Sequence, residues 1–148
     1  MTGWVPVATG VGSALVGGFY LAFSAVVLPA LRRRPPEEAA ATMVVINQAA
    51  VRAPFMVLFF GTAAACAATT VDAMINTRPD SLIRVAGSVA YLAGWASTMA
   101  VNVPLNNRLA KNGLDQWPSY QQSWTRANHI RAIFSTAGAT GLLIPTQP

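Results

Sequence analysis

Apolar residues in this chain gather into four long stretches, with prolines, asparagines and arginines between them. Residues 5–31 contain no charged side chain. At a rise of about 1.5 Å per residue such a run exceeds the roughly 30 Å of a bilayer core and predicts a spanning helix. The basic cluster Arg32, Arg33 and Arg34 follows the run instead of preceding it, opposite to a secretory signal, so the helix is expected to stay in the membrane. Gly10, Gly12, Gly17 and Gly18, with Ser13 and Ala14, give it a small-residue surface that another helix can approach closely. Pro35 and Pro36 then break the chain, and Glu37 and Glu38 sit where the positive end of a new helix dipole would be.

Residues 39–51 are mixed, with Asn47, Gln48 and Arg52 arriving before the second apolar run, and they read as a partly immersed approach to a span at 53–75, kinked at Pro54. Asp72, near the end of that span, has Arg78 or Arg84 in the next turn as its expected partner. The third span, 82–103, is the most polar, carrying Tyr91, Trp95, Ser97, Thr98 and Asn102, so part of it should face the bundle interior. After Asn-Val-Pro-Leu-Asn-Asn-Arg, residues 102–108, and a linker at 111–118, a short span at 128–145 rich in Gly, Ala and Thr ends the pattern. The fold class is therefore all-α, an integral membrane four-helix bundle forming a single membrane domain over 1–148.

Composition agrees. The chain is 53% hydrophobic and 10% charged, against about 25% charged in an ordinary soluble domain. Its net charge of +5 does not indicate nucleic acid, because the basic residues lie at the edges of apolar runs and form no continuous patch. A single cysteine, Cys66, excludes an internal disulfide or a cysteine-built metal site and reads as a small packing residue. Arg32, Arg33, Arg34, Arg52, Arg108, Lys111, Arg126 and Arg131 fall on one side of the spans, and Arg78 and Arg84 on the other. The positive-inside rule then puts the loop-rich polar side in the cytoplasm and both termini opposite.

Candidate chemistry concentrates in residues 117–131, Trp-Pro-Ser-Tyr-Gln-Gln-Ser-Trp-Thr-Arg-Ala-Asn-His-Ile-Arg, which hold the only histidine. On a helix Trp124, Asn128 and Arg131 fall at i, i+4 and i+7 and line one stripe, with Thr125 and His129 on the stripe beside it. Because four spans bring the chain back to one membrane face, these residues should meet Asn47, Arg52, Asn102 and Asn106. Trp4, Trp117 and Tyr120 read as interfacial anchors, and Tyr20 should seek a partner for its hydroxyl. Histidine is the side chain suited to exchange a proton at physiological pH, which makes His129 the candidate base or ligand.

The order Phe-Met-x-x-Phe-Phe-Gly (55–61), Asn-Val-Pro-Leu-Asn-Asn (102–107) and Trp-Thr-Arg-x-Asn-His-Ile-Arg (124–131) resembles the anthrone oxygenase-like family of small four-helix membrane proteins, over nearly the whole chain. What the resemblance carries over is Asn102, Pro104 and Asn106 in one motif and Trp124, Asn128, His129 and Arg131 in the other. It implies a membrane oxygenase that takes a lipophilic anthrone- or phenol-like aromatic molecule and O₂, with no cofactor or metal required. In that scheme His129 is the base, and Asn102, Asn106 or Arg131 hydrogen-bond the enolate oxygen. Trp124 and Phe55 cover the ring, with Asn47, Arg52 and Asn128 as further substrate contacts, and the bilayer delivers the substrate laterally. Two other readings stay open: a haem protein with His129 as axial ligand, and a non-enzymatic membrane subunit or chaperone. The Gly-rich faces point to a homo-oligomer.

Overall fold

A computed structural model describes residues 4–144, and the regular structure among them is all helical, without strands. Helix α1 (Trp4–Leu31) and helix α3 (Phe55–Ile75) are long and apolar enough to cross a membrane. Between them α2 (Pro36–Ala50) is a separate helix. Helix α4 runs over 81–112, as Ser81–Ser97, a π-turn at Thr98–Asn102, and Val103–Asn112. A single 3₁₀ turn, Gly113–Gln116, leads into α5 (Trp117–Leu143). Gly113, at φ 58°, supplies the left-handed residue at this reversal.

Two expectations change here. Pro54 does not kink a continuous helix: residues 51–54 break the chain, so α2 and α3 are independent and can take different directions. The linker expected at 111–118 shrinks to the 3₁₀ turn, because residues 117–127 are helical. Trp117, Tyr120, Trp124 and Ala127 are buried at alternating spacings of three and four, the period of a helix with one packed face.

Helix α1 packs along α5, α5 along α4 and α4 along α3, and α3 closes on α1. Small residues let helix backbones approach closely. Gly87 of α4 meets Gly138 and Gly141 of α5, where the backbones touch. Gly10 packs on Leu143, Gly12 on Thr62 and Gly17 on Ser135, so the small-residue surface of α1 is largely used within the chain, while Gly18 faces open space. A Cβ on Gly138 would lie 2.9 Å from the Gly87 carbonyl oxygen, whereas one on Gly61 would meet nothing within 4 Å. Gly138→Ala should therefore destabilise the chain by about 1–3 kcal/mol through overpacking. Gly61→Ala should be neutral or stabilising, since Ala is the better helix former by ~1 kcal/mol. Thermal melts of the two variants in detergent check this; equal shifts would contradict the packing.

Two π-turns, Phe23–Val27 in α1 and Thr98–Asn102 in α4, share one cause. Each precedes an X-Pro pair, Leu28-Pro29 or Val103-Pro104. A proline ring clashes with the carbonyl four residues back and offers no N–H. The helix widens, and the residue before proline donates five residues back, Leu28 to Phe23 and Val103 to Thr98. Both π-turns border the same space.

The interior has two apolar clusters. One lies in the bundle, around Val16, Tyr20, Phe59, Cys66 and Tyr91. The other lies where α2 covers the bundle end, around Leu28, Met43, Leu109, Trp117 and Trp124. Asp72 pairs with Arg78 at 3.0 Å, and Arg84 pairs with Asp80 instead.

Candidate functional site

Between the two clusters lies a cavity of about 80 Å³. Its aromatic walls are Phe19, Tyr20, Phe23, Phe55, Phe59 and Trp124. Polar groups enter from three helices: Asn47 from α2, Thr98, Asn102 and Asn106 from α4, and Asn128 and Arg131 from α5. The stripe of Trp124, Asn128 and Arg131 thus faces inward as one surface. The three regions expected on one face do meet, since Asn47 donates to the Tyr120 hydroxyl at 3.2 Å and Trp124 Nε1 donates to Asn106 Oδ1 at 2.9 Å.

Arg131 is the dominant charge. It is 4% exposed. Its guanidinium lies 4.3 Å from the Tyr20 ring centroid and 5.0 Å from that of Trp124. Nη2 donates to Asn128 Oδ1 at 2.9 Å, while the buried Nε has no partner among the described residues. All five acidic residues lie elsewhere: Glu38 pairs with Arg34, Asp72 with Arg78 and Asp80 with Arg84, while Glu37 and Asp115 are exposed. Burying an unpaired ion costs several kcal/mol. Each cation–π contact returns about 2 kcal/mol when desolvated, so the charge is only partly offset.

Asn128 fixes that charge in place. Its Nδ2 donates to the Tyr20 carbonyl and to Ser24 Oγ, both at 2.8 Å, and its Oδ1 accepts from Arg131. The amide is thereby committed to α1 and to the guanidinium. Asn102, on the π-turn of α4, is the opposite case. It is 1% exposed and lines the cavity, and neither Nδ2 nor Oδ1 has a partner among the described residues. A buried amide without partners costs about 1–3 kcal/mol per unmade bond, which a ligand carrying matching groups would recover.

Asn106 Oδ1 accepts from both Trp124 Nε1 and the Tyr120 hydroxyl, each at 2.9 Å. An indole N–H only donates, so the oxygen of Asn106 must face it and Nδ2 points away. Burial pushes the Tyr120 phenol above its ordinary range, against weaker opposing effects of the Asn47 bond and the Arg131 charge. Tyr120 therefore stays protonated and donates to Asn106. Phe55 stacks on Phe19 at 4.3 Å, part of the cavity wall.

Asn47, Phe55, Asn102, Asn106, Trp124, Asn128 and Arg131 thus converge, and two expected residues do not join them. His129 is exposed and lies outside the cavity lining. At about 100° per residue, it is rotated one step from Asn128 and some 200° from Arg131, so a helix that turns those two inward turns His129 away. Adjacency in the chain does not place a residue on the same face of a helix. Arg52 is exposed in the break between α2 and α3, where no helix aims it at the cavity. His129, the axial ligand of the haem reading, is exposed on the outer surface. Trp117 and Tyr120, expected as surface anchors, are buried in the cluster under α2. Tyr20, Phe19, Phe23 and Thr98 belong to the site and were not assigned to it from sequence; the phenol of Tyr20, the one tyrosine in the uncharged run at 5–31, was the available signal.

Fold and site together define an all-α bundle protein that keeps an uncompensated cation in an aromatic cavity. Residues 53–141 match the family model described as anthrone oxygenase, more than half of the chain, and the chain belongs to that family. The match spans α3, α4 and nearly all of α5, and so includes Asn102, Asn106, Trp124, Asn128 and Arg131, while Phe19, Tyr20, Phe23 and Asn47 lie outside it. No curated protein and no solved structure matches the chain.

Proposed function

We propose that this protein is a membrane-embedded oxygenase that uses O₂ to oxidise a lipophilic anthrone- or phenol-like aromatic molecule, bound as its anion against Arg131. The observation that carries this reading is the buried guanidinium without a carboxylate partner among the described residues, in a cavity otherwise walled by rings and amides. Family membership supplies the reaction class.

The proposed chemistry needs no base in the cavity, whose lining includes no histidine, lysine or carboxylate. Arg131 and the free donor of Asn102 stabilise negative charge on the substrate oxygen. The activated methylene then ionises to an enolate, and its proton passes to water. The enolate gives one electron to O₂, the radical pair collapses to a C–O bond, and the resulting peroxide takes up the proton. Loss of water leaves a carbonyl, so that R₂CH₂ and O₂ become R₂C=O and H₂O. The rings of Phe55 and Trp124 hold the planar substrate.

Membrane insertion is part of the same reading. Exposed large apolar side chains occur on every long helix, among them Leu15, Val57, Val89 and Ile133. Two helices have spanning length and hydropathy. We read the polar ends of α4 and the first turns of α5 as extending beyond the bilayer on the cytoplasmic side, which retains four spans.

The test is to add anthrone to the detergent-purified protein in air and follow anthraquinone formation and O₂ uptake. One O₂ consumed per quinone, above the uncatalysed rate, is expected; no acceleration would end the proposal. Because His129 lies outside the cavity, His129→Gln should keep the rate within about twofold, and the pH profile should follow ionisation of the substrate, rising with pH. A hundredfold loss, of the size general-base removal causes, would restore His129 as the base.

A further inference from the structure

A second cavity, of about 170 Å³, opens between α2 and α4 and shares Asn47, Val51, Val103 and Asn106 with the first. An anthrone has three fused rings, and an empty protein cavity of about 150 Å³ binds a single benzene ring. The Arg131 cavity, at about 80 Å³, is smaller than that. An aromatic ligand seated against Arg131 must therefore extend past the shared residues into the second space. Half of the second lining consists of carboxamides, Asn47, Gln48, Asn106 and Asn107, and no charged side chain contributes to it. Asn106 Oδ1 and Asn47 Nδ2 are already bonded, which leaves Asn106 Nδ2 and Asn47 Oδ1 available, beside the whole amides of Gln48 and Asn107.

We propose that this second cavity is a ligand subsite, reached across the Val51–Val103 threshold, where carboxamides bind an uncharged, hydrogen-bonding substituent of the molecule held by Arg131. The proposal rests on the cavity being a ligand site, as in the proposed function. It places access at the polar end of the bundle, where α2 meets α4, instead of laterally between spans. Carboxamides offer both donors and acceptors without charge, so a hydroxyl or amide suits them, whereas an ionised group would find no counter-charge.

Two measurements test it. In a Cys66→Ala background, Thr98→Cys puts a thiol on the wall of the Arg131 cavity, and its reaction with a small methanethiosulfonate reports access without any ligand. Ala110→Trp, at an exposed position lining only the second cavity, should slow that reaction at least tenfold. A rate within twofold of the unblocked protein would overturn the route. Second, anthrone and an anthrone bearing a carboxamide on one outer ring are titrated under nitrogen, with tryptophan fluorescence as readout, so that turnover plays no part. The carboxamide should bind about tenfold tighter, the worth of one net hydrogen bond, and Gln48→Leu with Asn107→Leu should bring the ratio to about one. Equal affinities in the unmodified protein would overturn the subsite. Failure of both compounds to bind would instead remove the anthrone reading, and the thiol reaction would still decide whether the two cavities are one path.

Discussion

Arg131→Gln is expected to lower the rate of anthrone oxidation at least a hundredfold while raising the melting temperature of the protein. The two effects have one source. The guanidinium is buried with one hydrogen bond to Asn128 and contacts with two rings, and it has no carboxylate partner among the described residues. Removing an unpaired buried charge relieves the folded state of part of a penalty of several kcal/mol. In the proposed reaction the same charge stabilises a developing oxyanion, and loss of one such donor typically costs about 10²–10³ in rate. A purely structural arginine would lose stability on the same substitution. Arg131→Lys should recover only part of the rate, because a point charge on a flexible stem reproduces neither the planar stacking on Tyr20 and Trp124 nor the bond to Asn128. Rate and melting temperature, measured on the same preparations, decide between the two roles.

Asn102→Leu and Asn128→Leu should move stability in opposite directions, although both residues are asparagines buried at the same cavity. Neither amide atom of Asn102 has a partner among the described residues, so an apolar side chain of similar volume should be neutral or stabilising by about 1–3 kcal/mol. Asn128 makes three bonds, to Tyr20, Ser24 and Arg131, and its loss strands a carbonyl, a hydroxyl and a cation. That variant should lose stability, at about 1–3 kcal/mol for each buried group left without its partner. Activity should fall in both, through the lost oxyanion donor in one and a misplaced Arg131 in the other. Melting curves with ligand absent provide the check; similar destabilisation by both would mean that Asn102 has a packing role.

Much of this arrangement can be read from the chain. The uncharged run at 5–31 and its end at Pro35-Pro36 give α1 its limits, and the helical spacing of Trp124, Asn128 and Arg131 gives the inward stripe of α5. What misleads is adjacency. His129 stands between two site residues in sequence, yet helical rotation carries it outward. Residues 111–118 look like a linker, because Lys111, Asn112, Gly113, Asp115, Gln116 and Pro118 are polar or turn-forming, and the aromatic spacing that marks the buried side of α5 begins only at Trp117. The lack of a partner at Asn102 could not be foreseen, since it depends on how a π-turn before Pro104 rotates that side chain against α1 and α5. Likewise, the contribution of Tyr20 depends on Arg131 approaching its ring from another helix.

The measurement that bears most directly on the central claim is the absorption spectrum of anthrone bound to the protein under nitrogen, at a pH where free anthrone is neutral. Without O₂ the enolate cannot react on and should accumulate, giving its red-shifted anion band with the unmodified protein and the neutral spectrum with Arg131→Gln. A neutral spectrum in both, or an anion band that survives loss of Arg131, would contradict the assignment of this cation as the group that binds and ionises the substrate.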